Sequence, residues 1–317
     1  MKKVFLAIAA LAVMTACNND EVMNFNREEI TVGNVFVDNA TRAVNNDYSG
    51  DKALTTMNVY GTVTGKSTTG TNGTVLIFDG AEFIGEVGND AWSIKDQTKK
   101  QYWMPNCAYD FAAVVDGNVK ATDGNGMPTM LGYTLTEDGD LLYATASATT
   151  GSDAVPTGTN VSNSLVNFTF NHLLAKVQFE VVMPTLAAGY SYKVGNITMT
   201  NVPAAGICDL TKTEGRWAQD GDSTTTLNFR TVNGGTVTLD DHLIIPMKQT
   251  VTINLSYEVL FNGASISVVN VSKPLEYTFA EKTVYNIKAA LPAQGKEIQF
   301  SVTAKPGAFS GDTTITL

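Results

Sequence analysis

From residue 53 to its end the chain reads strand, turn, strand, and no stretch carries the period of a long amphipathic helix. That confines it to all-β architectures. Residues 57–63 alternate apolar and polar. Residues 74–78 form a short apolar run between Gly73 and Asp79-Gly80. Further runs follow at 101–105, 109–115 and 141–146. A loop rich in Gly, Thr and Pro spans 151–159, and strands are expected at 165–170 and 173–182. The second half continues in the same way at 193–200, 243–246, 250–259, 283–291, 298–304 and 313–317. Thr and Val favour extended backbone, and 27 glycines supply turns. Many short strands with turns between them imply β-sandwiches. A chain of 317 residues suits about two of them, at 43–171 and 172–317.

The N-terminus is of another kind. Lys2 and Lys3 precede an unbroken apolar run at 4–13, too short to span a bilayer as a helix. Met14-Thr15-Ala16-Cys17 follows. Small residues before a cysteine let the chain thread a signal peptidase, and the thiol of Cys17 then takes a diacylglycerol. Residues 1–17 are therefore expected to be a lipoprotein signal peptide. An ordinary signal peptide with a chance cysteine is the alternative. No Asp directly follows Cys17, so inner-membrane retention is not signalled. Asp20 and Glu21 resemble the acidic surface-export tags of some Gram-negative anaerobes. Residues 18–27 read as a tether. Ile30, Val32, Val35 and Val37 then carry strand-forming side chains, with Gly33-Asn34 as a kink or bulge. Arg42 lies between this strand and a polar stretch at 45–51, where a protease can reach it.

Several functions are disfavoured by composition. The net charge of -10 offers nothing to neutralise phosphates, so nucleic acid is not an expected partner. With two histidines and three cysteines there is no metal-ligand cluster, and no cofactor or metal is expected. Asp240-Asp241-His242 and Asp220-Gly221-Asp222 lack the spacing of a calcium loop and read as solvated turns. Cys107 and Cys208 fall in different halves. They either pair, as a secreted chain allows, or stay as two buried thiols, the reading preferred here. His172 has no nucleophile motif nearby and reads as a structural histidine. Trp92, Trp103 and Trp217 read as packing rather than as a carbohydrate platform. No paired-carboxylate motif or nucleophile elbow supports an enzyme.

Five segments in order resemble the fimbrillin-like pilins of type V fimbriae. They are the lipobox at Cys17, the strand ending in Asn39-Ala40-Thr41-Arg42 before Ala43-Val44, the strand block at 166–181, the segment 277–287, and a strand-like tail reaching Leu317. The resemblance implies two tandem transthyretin-like β-sandwiches and export as a lipoprotein to the outer membrane and cell surface. It also implies cleavage after Arg42 by an arginine-specific surface protease, with Ala43 the new first residue. Arg27 is a rival site within the tether and pro-strand region 18–42, but a cut there leaves the pro-strand, Ile30 to Val37, in place. The subunits would then join neighbouring pilins head to tail by strand exchange, within a fimbrium that supports adhesion and contacts a host surface ligand.

The physical logic of exchange is plain. A sandwich lacking one strand exposes apolar core and a row of backbone groups without partners. The precursor can cover that gap with Ile30, Val32, Val35 and Val37, and a neighbour can fill it later by β-augmentation. The expected donor is the tail. Ile298, Phe300 and Val302 share one face by period two, and Thr313, Ile315 and Leu317 offer a second. Burying the first three is worth roughly 5–8 kcal/mol before ordering costs. The tail could instead be an ordinary terminal hairpin of the second sandwich. The chain would then be a lipid-anchored adhesin that does not polymerise and binds a glycan or host protein.

Overall fold

The computed structural model describes residues 28–37, 54–65, 73–86, 92–137, 139–229, 241–293, 298–305 and 313–316. Cys17, Arg42, Ala43 and Leu317 lie outside them. Apart from a 3₁₀ turn at Gln97–Lys99, the regular structure among the described residues is all β, as the strand-and-turn pattern requires.

The first half supplies β1 (Thr31–Val37), β2 (Thr56–Gly65), β3 (Thr74–Ile84), β4 (Ser93–Ile94), β5 (Cys107–Val115), β6 (Asn118–Thr122) and β7 (Pro128–Thr134). It continues with β8 (Leu142–Thr150), β9 (Pro156–Thr157), β10 (Val161–Ser162) and β11 (Leu165–His172). Most of these join one sheet in the order β1-β11-β8-β5-β2-β3-β4, with β9 on β8 and β10 on β11. The sheet curls around a core that includes Met57, Phe83, Trp92, Trp103, Phe111 and Phe168. β8 shows how the sequence selects its face. Leu142, Ala144, Ala146 and Ala148 point inward at period two, and Thr145 and Thr149 point out.

The second half supplies β12 (Ala175–Val182), β13 (Tyr190–Pro203), β14 (Ala205–Asp209), β15 (Trp217–Gln219), β16 (Thr224–Phe229) and β17 (His242–Ile244). It ends with β18 (Lys248–Phe261), β19 (Ala264–Thr278), β20 (Val284–Ala290), β21 (Gln299–Lys305) and β22 (Thr313–Thr316). Two sheets, β17-β12-β20-β21-β22 and β16-β13-β18-β19, enclose a second core with Phe179, Met199, Phe229, Leu255 and Ile287. β18 and β19 meet at Asn262-Gly263, with φ of 50° and 82°. That is the left-handed pair a two-residue hairpin turn needs.

A fourth sheet, β15-β14-β7-β6, draws strands from both sides of residue 172. β14 pairs with β7 from Ala205↔Thr134 to Asp209↔Met130. Under it lies a third core containing Leu131, Tyr133, Leu141, Leu173, Leu174 and Trp217. This explains the unbroken burial of 111–115 on β5. Phe111, Ala113 and Val115 face the first core while Val114 faces the third. A strand buried on both faces reads as a continuous apolar run.

Side chains fasten the same junction. The Arg216 guanidinium grips Glu281 with two nitrogens, Nε at 2.5 Å from Oε1. Trp217 Nε1 donates to that oxygen at 2.8 Å. The N–H of Lys282 donates to the carbonyl of Leu174 at 2.9 Å, which ties the β19–β20 turn to the link between the halves. Glu281→Ala leaves a guanidinium and an indole N–H without their acceptor. The side chains of Arg216 and Glu281 keep 21% and 19% exposure, so the expected loss is roughly 2–3 kcal/mol rather than the larger cost of a fully buried pair. Urea denaturation measures it, and the apolar double variant Arg216→Met/Glu281→Leu should recover most of the loss.

Candidate strand-exchange site

β1 runs parallel to β11, from Thr31↔Leu165 to Val37↔Phe170. Between Val32↔Val166 and Val35↔Phe168 the strand advances three residues while its partner advances two. This is the bulge the Gly33-Asn34 pair suggests. The extra residue switches the inward parity, so Ile30 and Val32 point into the core before it and Val35 and Val37 after it. Ile30, Val32 and Val35 are 3%, 2% and 0% exposed, whereas Phe36 is 53% exposed.

The bulge has its own clamp. Asn34 N–H donates to Asn167 Oδ1 at 2.9 Å, and Asn167 Nδ2 donates to Ser162 Oγ at 2.9 Å. A Cβ on residue 33 would lie 2.8 Å from both Asn167 Oδ1 and Leu165 Cβ, so glycine is required there by close approach.

The other edge is met at the start of β1 and just before it. Ile30 N–H donates to Gln101 O at 2.8 Å, Trp103 N–H to Glu28 O at 3.0 Å, and Trp92 N–H to Val32 O at 3.1 Å. Lys100 Nζ and Glu29 Oε2 meet at 2.8 Å. β1 thus ends the sheet beside β11, and its other edge is met by Trp92 at Val32 and, just before the strand, by Gln101 and Trp103 at Ile30 and Glu28. Beneath it lie Val166, Phe168, Trp92 and Trp103. Trp103 donates its indole N–H to Ser164 O at 3.1 Å and stands edge-on to Tyr109 with centroids 4.7 Å apart. Burial pushes the Tyr109 hydroxyl up to about 12, so it stays neutral while it accepts from Met104 N–H at 2.6 Å. Removing β1 would uncover this aromatic floor and both backbone edges.

The tail folds back on its own chain. β21 pairs antiparallel with β20, and β22 pairs with β21 at the edge of the sheet. Ile298, Phe300 and Val302 are buried in the second core, so this strand completes a sheet before any exchange. Thr313 and Ile315 fall on β22.

The two strands also have a matched polarity. β1 starts at the end of the first half farthest from the junction and runs toward it, because it lies parallel to β11, and Leu173, the residue after β11, is in the third core. β12 starts at the junction and β20 lies parallel to it, so Leu291 sits at the far end of the second half.

Trp92 and Trp103 pack in the first core and Trp217 in the third. His172 is 2% exposed, with Nδ1 2.5 Å from Asp140 Oδ2. Cys107 and Cys208 are free thiols in different cores, and burial pushes Cys208 up to about 12. Asp220 pairs with Lys120 at 3.2 Å and Asp241 with Lys176 at 2.9 Å.

A family model described as fimbrillin-like matches residues 41–315. No curated protein matches the sequence. Among solved structures, a candidate cell adhesion protein of Bacteroides uniformis superposes with a TM-score of 0.50 at 13% identity, covering 89% of this chain and 98% of that one. One from Bacteroides ovatus gives 0.51 at 12%, covering 92% and 96%. At such identities the likeness speaks for the fold.

Asn167→Ala removes the acceptor of Asn34 and is expected to loosen β1 at a cost of about 1 kcal/mol. Amide exchange of 31–37 should accelerate more than that of β5. Equal acceleration of both would mean that Asn167 serves the whole sheet rather than the bulge.

Proposed function

We propose that this chain, which belongs to the fimbrillin-like family, is a structural subunit of a fimbria that supports adhesion. It is exported as a lipoprotein through Cys17 to the outer membrane and cell surface. An arginine-specific protease cuts it after Arg42, and it polymerises by exchange of β-strands with neighbouring subunits. The two sandwich units, 43–171 and 172–317, form the mature subunit.

One observation carries the proposal. β1 pairs along β11 and buries Ile30, Val32 and Val35 in the first core, yet it lies upstream of Arg42, so a single cut separates it from the core it covers. While tethered, β1 competes at high effective concentration for its groove, and cutting abolishes that advantage. Each of Ile30, Val32 and Val35 contributes roughly 1.5–3 kcal/mol of burial that a replacement strand must match. The tail gains little by moving, because Ile298, Phe300 and Val302 exchange one core for another. The drive comes from refilling the aromatic groove, which an alternating strand of the same polarity can do.

The alternative is a lipid-anchored adhesin that never polymerises and binds a glycan or host protein. It is favoured by the tail's place in its own sheet.

Treatment of the purified precursor with an arginine-specific protease decides between them. The polymerising reading expects a ladder that resists mild denaturant, absent in Arg42→Gln and in a chain truncated after residue 297. A cut protein that stays monomeric, with truncation making no difference, contradicts it.

A further inference from the structure

The outer face of the β16-β13-β18-β19 sheet carries a hollow of about 300 Å³, whose lining includes Asn196, Thr198, Asn254, Ser256, Asn270 and Ser272. The strand pattern puts them there. On β18, Ile253, Leu255 and Tyr257 point into the second core, so Asn254 and Ser256 between them point out. Thr198, Asn254 and Ser272 stand side by side across three strands, and Ser256 stands beside Asn270. Asn196 comes from a bulge. Between Val194↔Tyr257 and Ile197↔Leu255 two residues, Gly195 and Asn196, oppose Ser256 alone. A Cβ on residue 195 would run into Ser256 Oγ, so glycine keeps that hydroxyl uncrowded.

No charged residue lines this hollow. The charged residues of the four strands are Lys193, Lys248, Glu258, Lys273 and Glu276. Lys193 pairs with Glu258 at 3.3 Å on one side of the hollow, and Lys248 pairs with Glu276 at 2.5 Å on the other. Lys273 lies opposite Ile253 and so falls on the other face. The hollow thus offers an acidic ligand no guanidinium or ammonium, and a cation no carboxylate. What it offers is amides and hydroxyls, which both donate and accept, as the hydroxyls of a sugar do. Asn254 is held ready for this. Ser272 Oγ donates to its Oδ1 at 2.9 Å, while its Nδ2 lies 3.4 Å from Thr198 Oγ1 and from Thr200 Oγ1. Those two contacts are long, so the amide can give a shorter bond to a ligand. Val268, 61% exposed, stands two residues from Asn270 on the same face and offers an apolar surface to the C–H side of a sugar ring.

We propose that this hollow binds a neutral oligosaccharide through Asn196, Asn254, Ser256 and Asn270. The inference rests on the adhesion role proposed above and gives it a site and a ligand class. The hollow lies on a different sheet from β20, β21 and β22 and in a different half from β1, so exchange of strands leaves it in place. Uncharged hydrogen bonds on an open face hold a ligand weakly one subunit at a time. A fimbria that repeats the site along its length gains by multivalency.

The test uses uncut full-length precursor, clustered on fluorescent beads and applied to an array of neutral, sialylated and sulfated glycans. Binding to neutral members is expected, with no gain from sialic acid or sulfate. Asn254→Ala/Asn270→Ala should weaken the signal about tenfold, since two hydrogen-bonding amides are lost. Asn270 is exposed, so Asn270→Ala alone should leave the thermal midpoint unchanged and weaken binding about threefold. Thr145→Ala, on the outer face of β8, should leave binding as it is. The site is overturned by absence of binding to every neutral glycan or by preference for acidic ones. It is equally overturned by binding that neither asparagine variant weakens, or that Thr145→Ala weakens as much. The protein is uncut throughout, so these outcomes leave the ladder expected after cleavage at Arg42 standing, and a missing ladder leaves the sugar site standing.

Discussion

An open β-sheet edge presents backbone donors and acceptors that must find partners, and β1 covers the edge that β11 presents. β11 offers one edge to it, and the segment around Trp92 and Trp103 offers another. Ile30, Val32 and Val35 then seal the aromatic floor. Core, sheet and tryptophan packing in this half all depend on a strand that contributes only a few inward side chains. A strand with three side chains buried in the core is thermodynamically costly to lose. It is also easy to exchange for another, since backbone hydrogen bonds do not discriminate among sequences. Specificity has to come from the pockets beneath and from the bulge clamped by Asn167.

The rest of the molecule serves as a frame around that strand. β14 on β7, the third core and the grip of Arg216 on Glu281 join the halves across the link at Leu173-Leu174. β11 and β12 are separated by that short link alone, so the groove strand continues almost directly into the sheet that carries the tail. In the assembly proposed above, tension between neighbours would pass along β11, β12 and β20 through hydrogen-bonded pairs lying side by side.

Local pattern made the class of fold readable, and with it the inward face of the tail strand at Ile298, Phe300 and Val302. The parity change in β1 was legible because Gly33-Asn34 sits between two pairs of β-branched residues that cannot share a face without a bulge. Trp92 and Trp103 were legible as core for want of any polar constellation near them. Pairing between distant segments was not legible. Nothing in residues 128–134 points to 205–209 as their partner, so the sheet spanning the halves came only from the structure. The sequence pattern also gives no expectation of a strand over most of β19. It is an edge strand exposed along much of its length, and period-two alternation fades where neither face is fully buried. The alternating tail fits a groove in its own sheet and a groove in a neighbour equally well, which is why its sequence alone left both readings open.

The central claim is that β1 is a removable plug over the first core. Hydrogen exchange at the amides of 165–170 and 92–103 tests it most directly, before and after cleavage at Arg42 with the released piece washed away. The account predicts slow exchange in the precursor, fast exchange in the plug-free monomer, and slow exchange again once subunits assemble. Amides of β11 that stay equally protected after β1 has gone would contradict it.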